Sequence, residues 1–215
     1  MYVPKHFEET SVEVLHELIR AHSLGALVTS SSNGLNANHI PFIVHPEPEP
    51  YGTLRGHIAR ANPLWRDFSL GVESLVIFQG PEAFISPSWY RTKTETGKVV
   101  PTWNYAVVHA HGALRIVDDR AWLSELVEEL TNRNEAERPN PWKVTDAPAD
   151  FIAQMLGAII GLELPIARLV GKWKVSQNRP ARDREGVVEG LMQEDRDSAL
   201  AMAKLVQQAQ DGEQT

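Results

Sequence analysis

The residues with the most chemical content lie in one stretch, Trp103-Asn104-Tyr105-Ala106-Val107-Val108-His109-Ala110-His111-Gly112-Ala113-Leu114-Arg115. In a strand, alternate residues share a face. One face then carries Ala106, Val108, Ala110, Leu114 and Ile116, which reads as a core face. The other carries Trp103, Tyr105, Val107, His109, His111 and Arg115. A face so aromatic and polar suits a ligand groove or a subunit interface, or a sheet face covered by a helix. The two imidazoles of His109 and His111 point the same way, but a zinc or iron site needs a third ligand and usually a carboxylate. The next acids are Asp118 and Asp119, at the strand end. His39 and His57 complete a site only if the fold delivers them, so no metal is expected.

A second stretch, Leu54-Arg55-Gly56-His57-Ile58-Ala59-Arg60-Ala61-Asn62-Pro63-Leu64-Trp65, has the parts of a phosphate seat. Arg60 offers a planar cationic fork, and the helix start at Asn62-Pro63 offers backbone N–H groups. Arg60 equally fits a surface position near a turn. Ser86-Pro87-Ser88 lacks the G-x-S-x-G elbow of a nucleophilic serine. From Arg168 to Arg182 there are five basic residues (Arg168, Lys172, Lys174, Arg179, Arg182) and no acid. Within that run, Ser176-Gln177-Asn178-Arg179 supplies amide and guanidinium donors suited to a phosphate or a heterocycle edge. The run reads as an anion pocket, a solvated strand and turn, or a DNA contact.

Composition narrows the classes. The 215 residues carry a net charge of −7, so DNA binding would need a local basic patch, since nucleic-acid affinity is mostly phosphate neutralisation. There is no cysteine, which removes disulfides, zinc–thiolate sites and thiol catalysis together. No apolar run is long enough for a membrane span, and the N-terminus lacks an apolar signal core. A soluble, cytoplasmic protein without membrane partners is the expectation.

These residues must be positioned by an α+β chain. Thr10-Ser11-Val12-Glu13 reads as a capping box opening a helix through Ile19. Leu24–Ser31 and Leu35–Val44 read as strands around the turn Ser32-Asn33-Gly34. Thr53–Ile58 is a third strand, and Asn62-Pro63 starts a helix. Ser74–Gln79 is a buried strand that Ala83–Ser86 continues, and Arg91–Gly97 is a loop. Trp103–Val117 is the longest strand. Arg120–Asn134 and Phe151–Ile160 read as helices around a proline-broken connector, Leu164–Ser176 as a strand. Two helices, Arg184–Leu191 and Ser198–Gln208, end the chain. Parallel β-α-β alternation, G-x-G-x-x-G and Walker sequences are absent, so the fold expected is a small antiparallel barrel with flanking helices.

Six pieces, in order, resemble the FMN-binding negative transcriptional regulators of PaiB type. They are Met1-Tyr2-Val3-Pro4-Lys5-His6-Phe7, Asn38-His39-Ile40-Pro41-Phe42, Gly56-His57-Ile58-Ala59-Arg60-Ala61-Asn62-Pro63, Ile85-Ser86-Pro87-Ser88-Trp89-Tyr90, Val100-Pro101-Thr102-Trp103-Asn104-Tyr105 and Gly171-Lys172-Trp173-Lys174-Val175-Ser176-Gln177-Asn178-Arg179. The resemblance implies one split β-barrel domain over 1–215, related to the pyridoxamine-phosphate oxidases, with a helical C-terminal extension over about 178–215. It implies a homodimer with FMN between subunits. Gly56, His57, Arg60 and Asn62 would serve the phosphate segment, and His39, Ile40, Pro41 and Phe42 would lie beside the isoalloxazine. Trp103, Asn104 and Tyr105, or Lys172, Lys174 and Gln177, would close the site from the other subunit. Repressor function and DNA binding rest on the resemblance alone, because the helices are mostly acidic and no recognition helix stands out. The rivals are a flavin-dependent oxidoreductase using NAD(P)H or a small substrate, and haem held by a histidine such as His57 or His109. Catalytic residues are not identified.

Overall fold

The computed structural model describes residues 1–211. In chain order its elements are β1 (Glu8–Glu9), α1 (Val12–Ala21), β2 (Leu24–Ser31), β3 (Gly34–Pro41), β4 (Ile43–His45), β5 (Thr53–Ala59), β6 (Ser74–Ile85), α2 (Lys93–Thr96), β7 (Thr102–Gly112), β8 (Arg115–Val117), α3 (Arg120–Glu135), α4 (Ala149–Gly157), β9 (Ile159–Pro165), β10 (Arg168–Lys174), α5 (Ala181–Gln193) and α6 (Asp197–Asp211). Three-residue 3-10 turns occupy Lys5–Phe7, Pro63–Trp65, Pro87–Trp89 and Val144–Asp146. The contacts divide the chain into two units, unit 1 (1–18, 79–108, 170–215) and unit 2 (19–78, 109–169). Strands β6 and β7 contribute residues to both.

Unit 2 holds two antiparallel arrangements. In the first, β2 pairs β3 from Leu24↔Pro41 to Ser31↔Gly34, and β6 through Ala26↔Ile77. In the second, the order is β4-β5-β9-β8, with β5 paired to β9 over seven residues. The strand expected over Leu35–Val44 breaks at Phe42. Pro41 has no N–H to continue a ladder, and the Phe42 N–H instead donates to the Ser23 carbonyl at 2.8 Å. The chain thereby leaves one sheet as β3 and enters the other as β4. A second corner divides the expected strand Trp103–Val117 into β7 and β8. Gly112 sits there because a Cβ would stand 2.1 Å from the Pro165 carbonyl oxygen, an approach that only glycine permits.

Four further expectations change. Ser11, not Thr10, caps α1, its hydroxyl accepting from the Val14 N–H at 3.5 Å. The Asn62-Pro63 helix is a single 3-10 turn capped by Asn62, whose Oδ1 accepts from the Leu64 N–H. The helix expected to reach Ile160 stops at Gly157, and Ile159–Pro165 is a strand. Part of the loop Arg91–Gly97 winds into α2, closed by Gly97 at φ +63.

Unit 1 has the strand order β1-β10-β7-β6. Its core gathers Ile85, Tyr90, Val175, Val187, Leu191, Met202 and Val206, mostly from α5 and α6. Both helices start earlier and end later than the sequence periodicity suggests. Residues 212–215 of the expected C-terminal extension lie outside the described residues. No helix among the described residues is long and apolar enough to cross a membrane.

Candidate functional site

The corner at Pro41-Phe42 brings the end of β3 over β5 in unit 2, and a cleft of about 410 Å³ forms there. Its walls are Asn38, His39 and Ile40 from β3, His57, Ile58 and Ala59 from β5, then Asn62 and Ile159. Gly56 makes the crossing possible. A Cβ at that position would lie 2.9 Å from the Pro41 carbonyl oxygen and 3.1 Å from both Ile40 and Phe42 side chains. Gly56 therefore positions the cleft without lining it. Phe42 is core, 1% exposed and edge-on to Phe78 at 6.1 Å, so it lines no cleft. Pro41 lines a neighbouring cleft of about 330 Å³ with His57, Asn134, Glu135 and Trp142.

The polar groups of the first cleft are held in place. Asn62 Nδ2 donates to Asn38 Oδ1 at 2.8 Å while Asn62 Oδ1 caps the turn that follows. His57 differs: its Nδ1 is buried and has no hydrogen-bond partner among the described residues. Burial lowers its pKa below the ordinary imidazole value, so His57 is neutral at pH 7. A neutral imidazole keeps one donor and one acceptor for a ligand.

Arg60 stands at the end of β5 with its fork closed. Its guanidinium grips Asp118 at 2.9 and 2.6 Å, and also donates to the carbonyls of Gly157 and Ile159, each at 3.0 Å. Four of its five N–H donors are thus engaged. The hydrogen bond to Asp118 raises the arginine pKa and holds the Asp118 carboxyl below its usual range. The expected phosphate fork is, in this arrangement, a clamp joining β5 to the α4–β9 junction. Pro63 lacks an N–H and Asn62 satisfies that of Leu64, so the turn adds no anion-binding start.

The other expected site residues gather in unit 1. Trp103 is exposed and packs edge-on to Phe84 at 6.0 Å. Asn104, 1% exposed, donates to Ser176 Oγ at 2.8 Å. The Lys172 ammonium lies 5.2 Å from the Tyr105 ring centroid and donates to the Tyr2 carbonyl at 3.2 Å. Lys174 donates to Thr102 Oγ1 and to the Trp103 carbonyl. Gln177 folds back on its own turn, accepting from the Val175 N–H at 2.8 Å and donating to the Trp173 carbonyl. Of the five basic residues in the run, only Arg179 is neither paired with an acid nor bonded inward among the described residues; it lies over the Tyr90 ring. Arg168 approaches Glu73 at 3.7 Å and Arg182 pairs with Glu95, while Lys172 and Lys174 bond inward.

The alternation read for β7 holds with one exception: Asn104, Ala106, Val108 and Ala110 are buried and Tyr105, His109 and His111 partly exposed, but Val107, expected on the second face, is buried as well. His109 and His111 lie 6.2 Å apart, ring to ring. Burial pushes the His109 pKa down to about 4, with His111 and Arg168 adding positive charge nearby. Among the described residues no group of three His, Asp or Glu could hold a metal ion.

Sequence reasoning missed Ile58, Ala59 and Ile159 as cleft walls. Ile58 and Ala59 sat inside a motif read for its polar residues, and Ile159 was hidden by reading its segment as helix. Asp118 was visible only as an acid at a strand end.

Whether the cleft fits a flavin can be judged from its walls. Isoleucines and an alanine supply apolar surface for a flat ring, and Asn38, Asn62, His39 and the unpartnered His57 supply polar edges, the usual make-up of a small-molecule site. The residues fit.

Comparison with known proteins gives the same direction. Residues 1–168 match a family described as "Putative FMN-binding domain". An uncharacterised protein of Aspergillus fumigatus is 35% identical, covering 98% of each chain. The Protease synthase and sporulation protein PAI 2 of Bacillus subtilis is 34% identical, over 96% of this chain and 97% of its own. A solved structure of an FAD- and haem-binding protein from Mycobacterium smegmatis has a TM-score of 0.56 at 18% identity, covering 78% of this chain and 73% of that one; that likeness concerns the fold.

Proposed function

This chain belongs to the FMN-binding domain family that its residues 1–168 match, and we propose that it holds the flavin ring in the unit 2 cleft beside His57, as a homodimer with a PaiB-like regulatory role. Its fold is the split β-barrel with flanking helices. The observation that carries the placement is the neutral, unpartnered His57 Nδ1 in the wall of a cleft whose other sides are part apolar and part amide. An unsatisfied buried ring nitrogen costs free energy, and a flavin edge would satisfy it. Bound FMN supplies hydride and electron chemistry. Asn38 and Asn62 hold each other and present amide edges, while Ile40, Ile58 and Ile159 exclude water from the ring face. Arg60, through Asp118, keeps the cleft's base rigid.

The dimer reading is supported by β3. Six of its eight residues are exposed, Leu35 by 80%, and it forms the edge of its sheet. Such an edge invites pairing with another chain. A second copy on β3 would cover the open side of the cleft, whose first wall is β3 itself. Regulation would then follow flavin occupancy, since four of the five cations in the basic run are paired or turned inward. An oxidoreductase role remains the rival, favoured by the openness of the cleft to small reactants.

Leu35→Glu tests the reading. Sedimentation and FMN titration should show the dimer and the flavin affinity falling together. A monomeric Leu35→Glu protein that binds FMN as the wild type does would remove the subunit interface from the site.

A further inference from the structure

Unit 1 contains a small polar pocket that the flavin reading does not use. It measures about 70 Å³ and is lined by Tyr90, Thr102, Asn104, Lys174, Ser176, Asn178 and Arg179. With a water's share of liquid volume near 30 Å³, that is space for roughly two waters or one tetrahedral oxyanion. No carboxylate lines it. Asp183, the acid that acts on Tyr90, has its oxygens taken by the Thr92 N–H and hydroxyl at 2.9 and 2.8 Å.

The cations around the pocket lack a counter-charge. Among the described residues the ion pairs engage Arg168 and Arg182 but none of Lys172, Lys174 or Arg179. Partial burial together with Lys172 and Arg179 lowers the Lys174 pKa, the mark of a cation held beside others of its sign. A desolvated charge is ordinarily paired. The neutral groups are set as donors. Ser176 Oγ already accepts from Asn104, which leaves its own hydrogen to give. The Lys174 ammonium uses two hydrogens on Thr102 and Trp103 and keeps one. Arg179 lies over the Tyr90 ring at 4.6 Å, which fixes the guanidinium plane. Ser176 has φ +66, a conformation that a non-glycine residue keeps where its surroundings over-determine it, often at ligand sites.

We propose that this pocket is an oxyanion site, taking a phosphate group through Lys174, Arg179 and Ser176. The group has two possible sources, free phosphate or the phosphate of FMN. The test uses the full chain, flavin-free and FMN-loaded, titrated calorimetrically with inorganic phosphate. Flavin-free protein should bind phosphate saturably. Lys174→Gln should weaken that binding roughly ten- to a hundredfold, the worth of one charge-assisted hydrogen bond. Asn178→Asp, at an exposed turn position, places a negative charge at the pocket without disturbing the core and should weaken it comparably. If FMN-loaded protein binds phosphate equally well, the site takes a separate oxyanion. If FMN competes with phosphate, and Lys174→Gln weakens FMN but not riboflavin, the site takes the flavin's own phosphate. Phosphate binding that is absent, or unchanged in the folded Asn178→Asp variant, overturns the site, whatever flavin does in unit 2.

Discussion

Two helical glycines should respond to the same substitution with opposite signs. On α5, Gly186 and Gly190 are one turn apart and form a groove that receives Trp89. A Cβ on Gly190 would lie 2.3 to 2.5 Å from three atoms of that indole ring. Ordinary contact begins near 3.4 Å, so Gly190→Ala must push the half-buried ring by about 1 Å where it packs against a close-packed core. Overpacking of this kind costs about 1–3 kcal/mol, and alanine returns up to about 1 kcal/mol of helix propensity. The net loss should be about 1–2 kcal/mol, a fall in Tm of roughly 2–8 °C for a chain of this size. Gly157, the last residue of α4, has nothing within 4 Å of the added methyl. Gly157→Ala should therefore stabilise, by a few tenths to about 1 kcal/mol. Thermal unfolding followed by circular dichroism measures both, and the near-ultraviolet signal of Trp89 should change only in Gly190→Ala. A shift of Tm in the same direction in both variants would show that the indole does not fill the space beside Gly190.

Stability should also depend on His109. Its folded pKa of about 4 lies below the unfolded value near 6.5, so the unfolded chain takes the proton first. The stability held above pH 6.5 is lost as pH falls toward 4, by about 1–3 kcal/mol after allowance for partial exposure. Urea unfolding of wild type and His109→Asn across that window should show a shallower slope in the variant; parallel curves would refute the assignment. Asn104→Ala should cost about 1–3 kcal/mol, because it strands the buried Ser176 hydroxyl in a left-handed turn. Denaturant midpoints at constant m-value will show it.

Much of this molecule is legible without coordinates. The alternation from Asn104 to His111 is legible, apart from the buried Val107, because period 2 survives wherever one face is core. The β2–β3 hairpin follows from Asn33-Gly34. The corners are less legible. Pro41-Phe42 and Gly112 redirect strands through contacts with Ser23 and Pro165, distant in sequence and invisible to a local pattern. The run from Phe151 to Ile160 is apolar throughout, and nothing in its periodicity separates a short helix from the strand that follows. Arg60 shows the limit for the site. Its position beside the cleft could be read, but its partner Asp118 is 58 residues away in the chain, so a fork closed on an acid looked like an open one.

The most direct test of the flavin placement is an FMN titration, followed by absorbance and flavin fluorescence, of wild type and Ala59→Phe. Ala59 is exposed at the cleft wall, so a phenyl ring there fills the proposed flavin space without disturbing the core. Thr145→Phe, in a different cleft of unit 2, serves as the control. Wild type and Thr145→Phe should bind FMN saturably, and a folded Ala59→Phe should show at least a tenfold loss, about 1.4 kcal/mol or more. Undiminished binding by Ala59→Phe would contradict the placement and send the flavin elsewhere on the chain.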